Sequence, residues 1–103
     1  MTETDLDPRD VAQRLEEGWL LVDVRRDDER ADARIAGDLH IVLDQLTARA
    51  GEIDADRPVV FYCHTGSRSA MAAQAFRASG FDAHSLAGGI EAWESAGLPV
   101  DRG

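Results

Sequence analysis

Val59-Val60-Phe61-Tyr62-Cys63-His64-Thr65-Gly66-Ser67-Arg68-Ser69-Ala70-Met71-Ala72-Ala73 reads as an apolar strand, a tight loop and the start of a helix, with the chain's one cysteine at the junction. A strand that feeds a helix through a loop containing Gly66 leaves backbone N–H groups unpaired at the helix start. Those donors, with the positive end of the helix dipole, favour an anion. A thiol at the lip of such a cradle is expected to have its pKa lowered from about 8.5 toward the roughly 3.5–7.5 range of cysteines at helix N-termini. A lone cysteine at the end of a buried strand is more often an inert small hydrophobe. Here Gly66, Ser67 and Arg68 follow it and turn the strand end into an anion site, which points to a reactive sulfur.

Outward from this loop, strands and helices alternate. Asp7 caps a first helix with Pro8 in its first turn and Asp10 suited to the dipole; Val11, Ala12 and Leu15 share a face and Gly18 stops it. Leu20-Leu21-Val22-Asp23-Val24 is a strand buried on both faces. Residues 25–34 are nearly all polar and read as a solvated loop or short helix, with Arg25 structural. Leu39-His40-Ile41-Val42 reads as a second buried strand, and Asp44 as the cap of a helix carrying Leu43, Leu46 and Ala50 and ending at Gly51. After the key loop, an alanine-rich helix with Met71 and Phe76 runs to Gly80, its small side chains letting it lie close to a sheet. Phe81 to Leu86 is the last strand, and Gly88-Gly89 opens a final helix with Ile90 and Trp93 on one face, closed by Gly97-Leu98-Pro99. This alternation predicts an α/β fold, a parallel sheet covered by helices on both faces. Ligands on such sheets bind beyond the carboxyl ends of the strands, where Cys63 falls.

Composition narrows the function. A chain of 103 residues is expected to form one domain over 1–103. No apolar run approaches the ~20 residues of a membrane span, and the acidic start Met1-Thr2-Glu3-Thr4-Asp5 is unlike a signal peptide, so no membrane association is expected. A single cysteine forms no internal disulfide, which fits the cytoplasm. The net charge of −9 argues against nucleic acid, whose backbone demands a basic footprint. All 11 basic residues are arginine, which removes lysine Schiff-base chemistry and the lysine-bearing phosphate loop. No Cys/His/carboxylate spacing suggests a metal site; His40 and His84 read as ordinary, Trp19 and Trp93 as core or rim, and no cofactor is expected.

As a set, Val60-Phe61-Tyr62-Cys63, Gly66-Ser67-Arg68-Ser69, Ala73, Gly80-Phe81, Leu86, Gly88-Gly89-Ile90, Ala92-Trp93 and Gly97-Leu98-Pro99-Val100 resemble the rhodanese-like sulfurtransferase domain, and Leu21-Val22-Asp23-Val24-Arg25 resembles its early strand signature. The resemblance implies a small parallel sheet of about five strands flanked by helices. It also implies a Cys63 persulfide that carries sulfur from a small-molecule donor such as thiosulfate to cyanide, a thiol or a protein acceptor. Between Glu29 and Val42 the chain departs from the family, whose pattern has an aromatic, a Gly-His pair, prolines and an alanine there. Only Glu29, Ile35, Gly37 and Ile41 are kept, so the packing of this edge is not carried over.

On this reading Cys63 is the nucleophile, and His64, Thr65, Gly66, Ser67, Arg68 and Ser69 form the active-site loop, their backbone N–H groups holding the anionic sulfur. Arg68 has two readings, a cation for an anionic donor or a structural arginine pairing Glu29 or Asp23. His64 invites a Cys–His pair, but neighbours in a tight loop tend to point apart, so it is not expected to be a general base. Gly88-Gly89 is either a helix entry only or lets backbone approach the pocket. Four residues separate Cys63 from Arg68; cysteine phosphatases resembling this fold have five, a wider ring for phosphate, so the shorter ring here suits one sulfur. Two rival roles stand beside the enzyme: a regulatory or scaffold module that has lost the reaction, and a protein-to-protein sulfur carrier.

Overall fold

Leu20–Asp23 and Val59–Tyr62 are central strands of a five-stranded parallel sheet, and their alternating side chains build the two layers of the core. The computed structural model describes residues 4–102; the expectation for the first five residues therefore falls largely on Met1, Thr2 and Glu3, outside the described residues. In chain order the elements are β1 (Asp5–Leu6), α1 (Pro8–Glu16), β2 (Leu20–Asp23), α2 (Asp27–Asp32), β3 (Ala33–Arg34), β4 (Leu39–His40), β5 (Val59–Tyr62), α3 (Ser67–Ala78), β6 (Ala83–Leu86), α4 (Gly89–Ser95) and β7 (Asp101–Arg102). The sheet order is β1-β6-β5-β2-β4, and β3 pairs with β7 as a separate antiparallel ribbon.

Because side chains alternate across a strand, Val22, Val59 and Phe61 face α3, where Ala72, Ala73 and Phe76 meet them. Phe76 stands edge-on to both Phe61 and Phe81, at centroid distances of 5.0 and 4.8 Å. On the opposite face Leu21, Val60 and Tyr62 pack with Val11 of α1 and with Ile90 and Trp93 of α4. Helices cover both faces, as the apolar strands required. Asp7 caps α1 by accepting the Asp10 N–H at 3.0 Å. No helix among the described residues is long and apolar enough to cross a membrane.

Three local expectations are corrected. Residues 39–42 do not form a buried strand: β4 is two residues at the sheet edge, with Leu39 36% exposed and only Ile41 fully buried. The helix expected from Asp44 is replaced by two short 3₁₀ turns, Leu43–Gln45 and Ala50–Glu52, capped by no side chain. Leu43, Leu46 and Ala50 do reach the core, but three apolar contacts over so short a span do not offset the cost of a helical nucleus. The polar run 25–34 contains the short helix α2, yet it is not simply a solvated surface. Arg25 is 3% exposed and grips the fully buried Asp23 through Nε and Nη2 at 2.9 and 3.0 Å, while donating to the Ala33 carbonyl.

That ion pair extends through the stretch that departs from the family pattern. Arg30 forks onto Asp38 with two 2.7 Å bonds and also reaches Asp23 at 3.2 Å. The Tyr62 hydroxyl donates to Asp38 at 2.6 Å and accepts the Ile35 N–H. Burial, then the Asp23 charge and the Asp38 bond, push the Tyr62 pKa well above its ordinary value, so the hydroxyl stays a neutral donor. Two arginines and two aspartates thus neutralise one another under the sheet edge, which is how so charged a run is accommodated in the fold.

Candidate active site

Strand β5 ends at Tyr62 in the middle of the sheet and delivers Cys63 to its carboxyl end. The chain then turns through His64, Thr65 and Gly66, whose φ of +106° suits a residue without Cβ, and enters α3 at Ser67. The N–H groups of Gly66 and Ser69 point at Cys63 Sγ, at 3.0 and 3.4 Å. Ser69 Oγ lies 3.5 Å from the same sulfur. Donors fixed in this way are suited to holding negative charge on sulfur without reorganising.

The loop is locked from the other side by the start of α4. Ile90 and Glu91 donate their N–H groups to the carbonyls of Cys63 and His64, at 2.9 and 3.1 Å. Gly88 and Gly89 both have positive φ, and a Cβ on Gly89 would stand 2.3 Å from the His64 carbonyl oxygen and 2.5 Å from that of Cys63. Gly88-Gly89 opens α4 and also brings backbone against the loop, so the pair is more than a helix entry.

Several placements differ from expectation. Cys63 is not at the lip of an open cradle: its exposure is 0%, because the loop folds over the sulfur and the Ala72–Phe61 core layer closes in below. Two N–H groups bond Sγ, not the whole series from His64 to Ser69. His64 turns outward to Glu91, 3.2 Å away, and leaves the thiol; Thr65 and Ser67 are not buried in the loop. His40 Nε2 lies 2.7 Å from the Arg25 carbonyl and His84 Nε2 2.8 Å from Asp82. A cavity of about 590 Å³ opens beside the start of β2, lined by Trp19, Leu20, Leu39 and Arg57 among others, but no residue of 63–69 borders it.

Arg68 is paired. Its guanidinium forks onto Glu29 of α2 with bonds of 2.7 and 2.8 Å, the structural reading of the two left open by the sequence. This bond, with smaller attractions to Cys63 and Asp23, holds the Arg68 pKa above its usual value. In return Arg68 holds the Glu29 carboxyl at about 2, down from 4.5. Since the folded pKa lies below the unfolded one, ionised Glu29 stabilises the fold above about pH 5, and that stability is lost as pH falls from 4.5 toward 2. Urea unfolding should therefore find Glu29→Gln less stable than wild type by about 1–2 kcal/mol near neutrality, solvent screening of this partly exposed pair included, with the gap closing toward pH 2. A gap that stays constant across that range would refute the pairing.

Ser85 was missed by sequence reasoning. It is 1% exposed on β6, and its Oγ lies 2.7 Å from Ser69 Oγ. The available signal was alternation: Ala83 and Ser85 share the inward face, so a polar side chain pointed at the helix that starts in the loop.

The family model described as Rhodanese-like domain matches residues 7–96. The sulfurtransferase of Allochromatium vinosum is 37% identical over 93% of this chain and 92% of its own length. Thiosulfate sulfurtransferase GlpE of Pseudomonas aeruginosa is 37% identical over 91% of this chain and 86% of its own. Among solved structures, the rhodanese-related protein of Thermoplasma volcanium superposes with a TM-score of 0.88 at 25% identity, covering 94% of this chain and 96% of that one.

Proposed function

Since the chain belongs to the rhodanese-like domain family, we propose that it is a sulfurtransferase that passes sulfane sulfur from a donor such as thiosulfate to a thiophilic acceptor through a persulfide on Cys63. Relatives named sulfurtransferase over nearly their full length support that role. The observation that carries it is the pair of N–H groups, from Gly66 and Ser69, aimed at the one sulfur of Cys63. The Cys63 thiolate attacks the outer sulfur of the donor; the new S–S bond forms as the donor's own breaks, and the electron pair leaves with sulfite. The negative charge of the persulfide falls among the N–H donors of the loop. A cyanide ion or thiolate, free or on a protein, then takes the outer sulfur and restores the Cys63 thiolate. With the sulfur enclosed, the site has to open to admit the donor. We place the reaction in the cytoplasm, where a lone cysteine stays reduced.

The test is intact mass after incubation with excess thiosulfate or a small persulfide donor. A gain of one sulfur, reversed by cyanide, is expected. The complete burial of Cys63 favours a second reading, a rhodanese-like regulatory or scaffold module in which the sulfur is never reached. A chain that takes up no sulfur under donor excess decides for that module.

A further inference from the structure

Below Cys63 Sγ lies a chain of two buried hydroxyls that the loop itself does not account for. Ser69 Oγ stands 3.5 Å from Sγ, 3.2 Å from the Gly66 carbonyl and 2.7 Å from Ser85 Oγ. Ser69 and Ser85 are 0% and 1% exposed, so neither hydroxyl has water to fall back on. Ser85 belongs to another element, held in the sheet opposite Phe61 on one side and Asp5 on the other.

Each hydroxyl has a single proton, and this limits the arrangements. With a neutral thiol, S–H donates to Ser69 Oγ, and the Ser69 proton goes to the Gly66 carbonyl or to Ser85. With sulfur as an anion, the Ser69 proton turns to Sγ and Ser85 donates to Ser69 Oγ. Once the thiol proton has left to a base in solution, the change is a rotation of two O–H bonds with no heavy atom displaced. It adds a third donor to the N–H groups of Gly66 and Ser69, and Ser85 polarises that donor from behind.

We propose that Ser85 is a positioning residue of the sulfur site, acting through Ser69 to stabilise the anionic sulfur of Cys63. It touches neither substrate nor sulfur. Its effect is to keep the Ser69 proton on the sulfur when the Gly66 carbonyl competes for it. The proposal rests on Cys63 being the reacting atom, but its test requires no sulfur transfer.

The ultraviolet absorbance of the thiolate, followed against pH as the difference from Cys63→Ser, reads the sulfur anion with no reagent that has to reach the buried Sγ. Ser85→Ala is expected to move the midpoint up by about 0.5 to 1 in pH and to lower the thiolate fraction below the midpoint about three- to tenfold. Ser69→Ala should move it at least as far, and adding Ser85→Ala to Ser69→Ala should change nothing more. Ser85→Thr, which keeps the hydroxyl, should retain the wild-type midpoint. Arg68, the charged side chain whose field reaches Cys63, stays paired with Glu29 in each variant. A purely structural Ser85 would lower the melting temperature and leave the midpoint in place; that result, or additive shifts in the double variant, overturns the proposal. Ser85→Gly provides a second truncation if the alanine variant does not fold. Loss of persulfide formation in the wild type with the midpoint shifts intact would remove the sulfurtransferase reading alone.

Discussion

Cys63→Ser is expected to lower sulfur transfer from a persulfide donor to a thiol by on the order of 10⁴-fold or more, leaving only the background reaction. The serine hydroxyl still accepts from the Gly66 N–H, now 3.0 Å from Sγ, so the loop keeps its main internal bond. Stability should fall by no more than about 1 kcal/mol, a few degrees in melting temperature for a chain of this size. Cys63→Ala loses the same reaction and also leaves a small void, because the sulfur is part of the core layer with Val24, Phe61 and Ala73. Comparing the two by thermal melts and by a discontinuous sulfur-transfer assay separates chemistry from packing. A serine variant within tenfold of wild type would mean that the transferred sulfur never resides on this residue.

Gly89→Ala should produce the largest loss of stability, about 3 kcal/mol or more, together with loss of sulfur transfer. Two costs add. The φ of +62° is strained for any residue with a Cβ, and that Cβ would lie within 2.5 Å of the backbone of Cys63 and His64. These atoms are not a flexible side-chain tip: they are the carbonyls that accept the first N–H groups of α4. Relieving the overlap pushes the loop off the helix and redirects the N–H groups that serve Sγ. Gly97→Ala is the control, since Gly97 has a φ of +79° but nothing within 4 Å of an added Cβ. It should show only the backbone cost, about 1–2 kcal/mol, and keep full activity. Equal losses in the two variants by urea unfolding would show that α4 does not hold the loop.

The pairing of Arg68 with Glu29 also bears on donor binding. With that cation engaged and His64 beside Glu91, the loop itself, residues 63–69, offers no unpaired basic side chain to an anionic donor. In the proposed reaction, attraction of an anionic donor falls to the backbone N–H groups and the α3 dipole, close to the sulfur and against a net charge of −9.

The apolar runs 20–24 and 59–62, the Asp7-Pro8 helix start and the cysteine loop could all be read from the chain, because strand burial, capping and turn chemistry are local and leave a periodic or positional mark. So could the parallel sheet covered on both faces, which follows from alternating strands and helices. The two-residue strand β1 and the ribbon of β3 with β7 were beyond reach, since two residues carry no period and are strands only through their partners, while β4 was read as a strand but two residues too long. Residues 43–52 carried a helical spacing that tertiary contacts resolved into 3₁₀ turns instead.

The order of amino acids was enough to specify the chemistry on offer: one thiol, at a strand-to-helix turn, with four residues between it and an arginine. How that thiol is kept was left to the folded chain. The fold brings Glu29 to Arg68 across 39 positions, Ser85 to Ser69 across 16, and Gly89 against the Cys63 carbonyl. It also closes the loop over the sulfur. Each of these depends on which strands lie side by side, and that order is set by burial summed over the whole sheet, which no short stretch of residues encodes.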